Sequence, residues 1–294
     1  MLASCTGGCE RWRERRAERK LERERAAELA DKEFLEASQP GVGIELVPVR
    51  DASPRVAEVL GAYETRPVPA DPALLYRWRL AGLRVIALPA DEAADILDRF
   101  ERAGVGDARQ WTEVPNWSPI VAGPWEESEI VGTGERAARV GVGRTRLLAR
   151  AWFEPWIGDG GIETTMRLEF VPQRERPRSA RTLSPVDAPD RPGGEADAGP
   201  VFNELSLTLR ATGGDAFVIV GAGSDEDWTN PDEPAPVGDA PAVGPETPRV
   251  RVIGESMLID PGAVIEERDA VRVRTPVRVL VVIRPRMPQG GGSS

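Results

Sequence analysis

Histidine is absent from the 294 residues. That removes the commonest general base, the Ser-His-Asp and Cys-His pairs, and every imidazole-ligated metal site. Lysine occurs only at Lys20 and Lys32, inside an N-terminal charged run. The rest of the chain therefore lacks an amine for a Schiff base or a phosphate-binding loop lysine. The two cysteines, Cys5 and Cys9, are both near the start. The remaining residues hold no disulfide, no thiol nucleophile and no Cys₄ zinc site. No apolar run of ~18 residues exists to cross a membrane as a helix. Carboxylate-only hydrolysis survives these exclusions, since acids are plentiful, but no pair is singled out by spacing. A non-enzymatic protein is expected, with no cofactor.

The charge distribution narrows the partners. The net charge is −10. From Glu10 to Arg25 there are eight basic and five acidic side chains, so the rest of the chain carries −13. A body this acidic does not fit general nucleic-acid binding, which needs a basic surface to displace counterions. Protein partners are expected instead. Proline (27) and glycine (30) are frequent enough to call for many turns and long connections.

Residues 1–9 read as a tether. Leu2-Ala3-Ser4-Cys5 resembles the lipobox of bacterial envelope lipoproteins, in which small residues precede a cysteine that becomes diacylglycerated. The resemblance implies lipidation of Cys5 in a longer precursor, because the apolar segment that precedes a lipobox is represented here only by Met1. It also implies the periplasmic face of a membrane. The other reading is a tail with an incidental cysteine in a cytoplasmic protein. Residues 10–39 are rich in Ala, Leu, Glu, Arg and Lys. Arg11–Glu14, Arg15–Glu18 and Arg19–Glu22 pair at i+3, which predicts a charged helical spacer ended at Pro40.

The fold class expected is α+β: the charged helix, a small α+β module over 41–115, and a mainly antiparallel β domain over 116–287, with a tail at 288–294. In the module, a strand at 43–49, helices at 54–62 and 71–80 and a strand through Leu83–Ile86 lead to a helix capped by Asp91 and ended near Gly104. Past residue 118 the period becomes two. Met166, Leu168 and Phe170 alternate with Arg167 and Glu169, predicting a hairpin that turns at Gly158–Gly161. Leu205, Leu207 and Leu209 repeat the pattern before a Gly213-Gly214 turn, predicting a second hairpin. A short strand is expected at "RVRVIGE" and an interior one at "PVRVLVVIRPRM". Polar, proline-rich segments near 173–199 and 229–248 read as long disordered loops.

The order "LEFVPQ", long loop, "LSLTLRATGGDAFVIVGAG" and final "VRVLVVIRPRM" faintly resembles the homology domain of bacterial secretins, over roughly 130–287. The Val-Pro-Gly landmark and the barrel-lining strands of that family are missing. The resemblance implies an accessory envelope or secretion component rather than a pore.

Candidate sites are few. Trp111, Trp117, Trp125, Trp152 and Trp156 cluster within 46 residues, enough for a binding surface. Trp117 and Trp125 stand out because turn-forming residues flank them. A carbohydrate-binding module using these rings is the alternative to a tethered scaffold. No metal site is expected. The oxygen-rich Asp225, Asp227, Asn230 and Asp232 could hold Ca²⁺, but they lack the glycine and glutamate positions of an EF-hand loop. Gly132-Thr133-Gly134-Glu135-Arg136-Ala137 matches G-x-G-x-x-A. Gly141 and Gly143 follow too soon for the helix a dinucleotide site needs, so a hairpin turn is expected.

Overall fold

In a computed structural model of the chain, residues 40–50, 53–104, 106–111, 114–158, 161–177, 198–223, 226, 228, 250–268 and 271–288 are described. Cys5, the expected helix at 10–39, the four candidate calcium ligands and the loop at 229–248 lie outside them.

Strand β1 (Gly41–Arg50) shows how the sequence organises the molecule. Val42 and Ile44 are buried in one core, and Val47 and Val49 in another. Successive side chains of a strand point to opposite faces, so a strand apolar on both must lie between two layers. The C-terminal strand β13 (Val271–Arg286) has the same character and pairs antiparallel with the whole of β1, from Gly41↔Arg286 to Arg50↔Val277. Around them lie β2 (Leu83–Pro89), β3 (Asp107–Trp111) and β10 (Asp215–Gly221), in the order β2-β10-β13-β1-β3. Strand β12 (Ile259–Arg268) pairs with β13 beside this path.

One face of this six-stranded sheet packs on a four-stranded antiparallel sheet. That sheet comprises β4 (Val114–Ala122), β7 (Arg144–Gly158), β8 (Gly161–Glu175) and β9 (Leu207–Ala211), in the order β4-β7-β8-β9. Val42, Ile44, Phe217, Ile219, Val281 and Ile283 from one side meet Leu147, Met166, Leu168, Phe170, Leu207 and Leu209 from the other. Each fully buried large aliphatic or Phe side chain contributes about 1.5–3 kcal/mol relative to exposure. The opposite face is covered by α1 (Ser53–Gly61) and α3 (Ala93–Leu97), through Val56, Val59, Leu60, Ile96 and Leu97. A third, small sheet closes one end: β5 (Glu129–Gly132) and β6 (Ala137–Val140) form a hairpin, and the two-residue β11 (Arg251–Val252) runs parallel to β5. Helix α4 (Ile253–Leu258) follows at once. Helix α2 (Pro72–Leu80) starts as its sequence demands: the Ala73 N–H donates to Asp71 Oδ1 at 2.8 Å, and Pro72 fills the first turn.

The class is mainly β, not α+β, because among the described residues no helix exceeds nine residues and the layers are antiparallel sheets. The strands of 41–115 do not form a sheet of their own. β1, β2 and β3 share theirs with β10 and β13, because their second apolar face is satisfied only between two layers. Four further expectations are corrected. Asp91 caps nothing: α3 is five residues long, and Glu92 stands at its N-cap position without a side-chain bond. Gly104 lies beyond its end. "RVRVIGE" yields only β11 before turning into α4. Residues 173–175, assigned to a loop, continue β8.

The second hairpin is the most instructive correction. Gly213 and Gly214, at φ +92° and +85°, do make a tight turn, a conformation in which glycine carries no Cβ penalty. But β9 pairs with β8, and β10 pairs with β2 and β13. The chain crosses from one sheet to the other at this turn, so Leu207 and Phe217 meet across the core rather than along a ladder. The first hairpin is as expected: β7 and β8 pair from Arg144↔Glu175 to Gly158↔Gly161, and Met166, Leu168 and Phe170 are buried.

Candidate binding face

On the face of β7 turned away from the shared core lie Arg144, Arg146, Leu148, Arg150, Trp152, Glu154 and Trp156, of which Arg146 and Leu148 are buried and the other five at least partly exposed. The register places opposite them Glu175, Gln173, Val171, Glu169, Arg167, Thr165 and Glu163 of β8. Directly opposed residues of an antiparallel pair share a face, and the two lists are complementary: Arg with Glu, Arg with Gln, Leu with Val, Arg with Glu, Trp with Arg. A slip of one strand by one residue would turn its polar set into the core.

The side chains join into a lattice. Arg144 Nε donates to Glu175 at 2.7 Å, and Arg146 donates twice to Gln173 Oε1, at 2.8 and 2.7 Å. Arg150 Nε donates to Glu169 Oε2 at 2.6 Å. Glu169 also accepts two bonds from Arg167, Nε and one Nη both donating to Oε1, at 2.8 and 2.6 Å. That hydrogen bond, together with the charges of Glu169 and Glu154, outweighs burial and raises the Arg167 pKa above its ordinary value. Arg167 stands opposite Arg210 of β9, a like-charge pair. Glu154 offsets it by accepting from both, at 3.4 and 2.9 Å.

Tryptophans are threaded through this lattice. The Arg150 guanidinium lies 4.6 Å from the Trp117 ring centroid and 5.1 Å from that of Trp152. Arg167 lies 5.3 Å from Trp152, Arg210 4.6 Å from Trp156 and Arg144 5.0 Å from Trp125. Each contact is a cation–π interaction worth about 0.5–1 kcal/mol at an exposed site. Four of the five expected tryptophans therefore stack on arginines of the four-stranded sheet. Trp111 does not belong with them: it lies on β3 and packs at the margin of the core. Trp125 and Trp156 are the most open, at 51% and 43% exposure, and Ile157 beside Trp156 is 79% exposed. A cavity of about 280 Å³ adjoins the lattice where Arg167, Thr208 and Arg210 meet Pro69 and Leu74.

No protein-family model, curated protein or solved structure matches the chain. Its chemistry is therefore read from this geometry.

The arginines were missed in the sequence, where only the aromatic rings drew attention. A signal was present: the alternate residues of the two strands flanking Gly158–Gly161 complement one another in reverse order.

A second polar cluster lies where the small sheet meets the sandwich. Arg174 of β8 is 1% exposed and donates to Glu129 Oε1 at 2.9 Å, Thr145 Oγ1 at 3.2 Å and the carbonyls of Gly141 and Glu127 at 3.2 and 3.1 Å. Arg251 pairs with Glu126. The Glu126 and Glu129 carboxyls are hydrogen-bonded to each other. Burial, the Glu126 bond and its charge push Glu129 up to about 7, against the pull of Arg174 and Arg251. Burial also pushes Glu126 up, but the Glu129 bond and the two arginines hold it below the ordinary carboxylate range. The surroundings of the pair are structural: it fastens β5 and β11 to β8. Among the described residues, no group of three or more potential ligands converges for a metal, and no helix is long and apolar enough to cross a membrane.

Proposed function

We propose that the protein is a non-enzymatic binding component of a bacterial cell-envelope assembly, tethered through Cys5, and that the outer face of β4-β7-β8-β9 docks a protein partner. The observation that carries the docking face is the set of four tryptophans stacked on strand-borne arginines, three of them (Trp117, Trp152 and Trp156) themselves on paired strands and Trp125 on the connection after β4. Tryptophan and arginine dominate the energetics of protein interfaces, and rings held by guanidinium groups lose little freedom on binding. The lipobox-like start and the charged segment after it support the tether.

A photo-cross-linking residue placed at Thr208 of the full chain in its native cells tests the docking face. Discrete protein adducts are expected from Thr208 and none from Glu58, which is exposed on α1 beyond the opposite face of the molecule. Equal yields from both, or none from Thr208, would refute it. Replacement of Cys5 by Ser tests the tether: the wild-type chain should incorporate a fatty-acid label and the variant should not.

The 51% and 43% exposure of Trp125 and Trp156 favours a second reading, a sugar-stacking surface. It requires tryptophan fluorescence to shift with polysaccharide. A silent glycan panel leaves the protein-docking reading in place.

A further inference from the structure

The Gly132–Ala137 run, set aside above as a dinucleotide site, forms one wall of a cavity distinct from the tryptophan face. The cavity measures about 370 Å³ and is lined by Arg77 of α2, Thr133, Glu135 and Arg136 of the β5–β6 turn, and Glu204 and Leu205 of the 3₁₀ turn. That volume lies at the small end of ligand pockets, which span ~300–1,000 Å³.

Its walls are preformed. Trp78 is fully buried, and its indole N–H donates to the Leu205 carbonyl at 2.6 Å, joining α2 to the 3₁₀ turn. Phe170 meets that indole edge-on at 6.4 Å. The hairpin turn is closed by the Thr133 N–H and hydroxyl, which donate to the Arg136 carbonyl at 2.8 and 3.3 Å. Gly134, at φ +102°, brings this turn against the end of α2: a Cβ there would lie 3.6 Å from the Arg77 carbonyl oxygen and from Leu80 Cβ.

The charges around the cavity are the informative part. Across the tryptophan face each arginine is bound to a glutamate or glutamine. Here two guanidinium groups, Arg77 and Arg136, and two carboxylates, Glu135 and Glu204, line one cavity. Among the described residues none of the four forms an ion pair or a side-chain hydrogen bond. An anion alone would meet the arginines but be repelled by the glutamates, and a cation alone would meet the reverse. All four side chains are exposed, and an occupant carrying both signs can engage both pairs at once.

We propose that this cavity binds a small zwitterion, an amino acid or the free ends of a very short peptide. Arg77 and Arg136 take the carboxylate, in the forked geometry a guanidinium offers, and Glu135 and Glu204 take the ammonium. The proposal does not depend on the docking face.

The test is calorimetric titration of the full chain with dialanine, N-acetyl-dialanine, dialanine amide and inorganic phosphate. Dialanine should bind, and each blocked form should bind at least tenfold more weakly. Arg136→Ala should weaken dialanine at least tenfold without further weakening the amide, which has no carboxylate to lose. Glu204→Gln should do the same for the ammonium, leaving the N-acetyl form unaffected. Both residues are exposed, and far-UV circular dichroism checks that the variants keep their fold. No dialanine binding at millimolar concentration, equal binding of the blocked forms, or tighter binding of phosphate would overturn the proposal.

Discussion

Arg150 of β7 sits directly opposite Glu169 of β8, donates to it at 2.6 Å, and places its guanidinium 4.6 and 5.1 Å from the rings of Trp117 and Trp152. One side chain thereby ties three strands, β4, β7 and β8, on their outward face. Arg150→Ala should cost about 1–2 kcal/mol of unfolding free energy in urea, with an unchanged denaturant slope, since a charged hydrogen bond and two ring contacts are lost. Arg150→Lys should recover only part of this, because an ammonium lacks the flat fork.

Arg174 is a harsher case. It is buried at the end of the sandwich and bound to Glu129 and Thr145. Arg174→Met leaves Glu129 without its nearest cation and should destabilise by about 3–5 kcal/mol. Adding Glu126→Gln and Glu129→Gln to that variant should restore part of the loss, measured by the urea midpoint.

The Glu126–Glu129 pair makes stability depend on pH. Glu129 is raised to about 7 from an ordinary 4.5. Between those values the folded chain keeps a proton that the unfolded chain has released. Its stabilising contribution is therefore complete below about pH 4.5 and is lost as pH rises through 7. Glu126, held below the ordinary range, acts oppositely and contributes above its unfolded pKa. Unfolding free energy measured from pH 5 to pH 8 should fall, and Glu129→Gln should flatten that fall.

Gly82 is where backbone and packing leave no room for a side chain. Its φ is +73°, and a Cβ would lie 2.3 Å from Val252 Cγ2 and 2.6 Å from the Ala222 carbonyl oxygen. Gly82→Ala should destabilise by more than about 1 kcal/mol, the size of effect expected where a left-handed conformation is required. A thermal melt checks this.

Local order was legible where period and partner lie close in sequence. Met166, Leu168 and Phe170 declared a one-sided strand, and Gly158–Gly161 declared its turn. Pairing over long distances was not. Nothing in "GVGIELVPVR" names β13 as its neighbour, because any apolar strand of suitable length satisfies the same alternation. The Gly213-Gly214 turn fits a hairpin and a sheet crossing equally well, and only the two opposed cores decide between them. The tryptophans were visible as a cluster, yet Trp111 went to the other sheet and the arginines that hold the rest were recognisable only once β7 and β8 were in register.

The central claim is that the Trp–Arg face is covered by a partner in the cell. Hydroxyl-radical footprinting in native cells and on the purified chain tests it directly. Trp125 and Trp156 are 51% and 43% exposed, and Tyr76 on α2, at 55%, serves as an internal reference. Trp125 and Trp156 should be oxidised less, relative to Tyr76, in cells than in the purified protein. An unchanged ratio in both preparations would contradict the account.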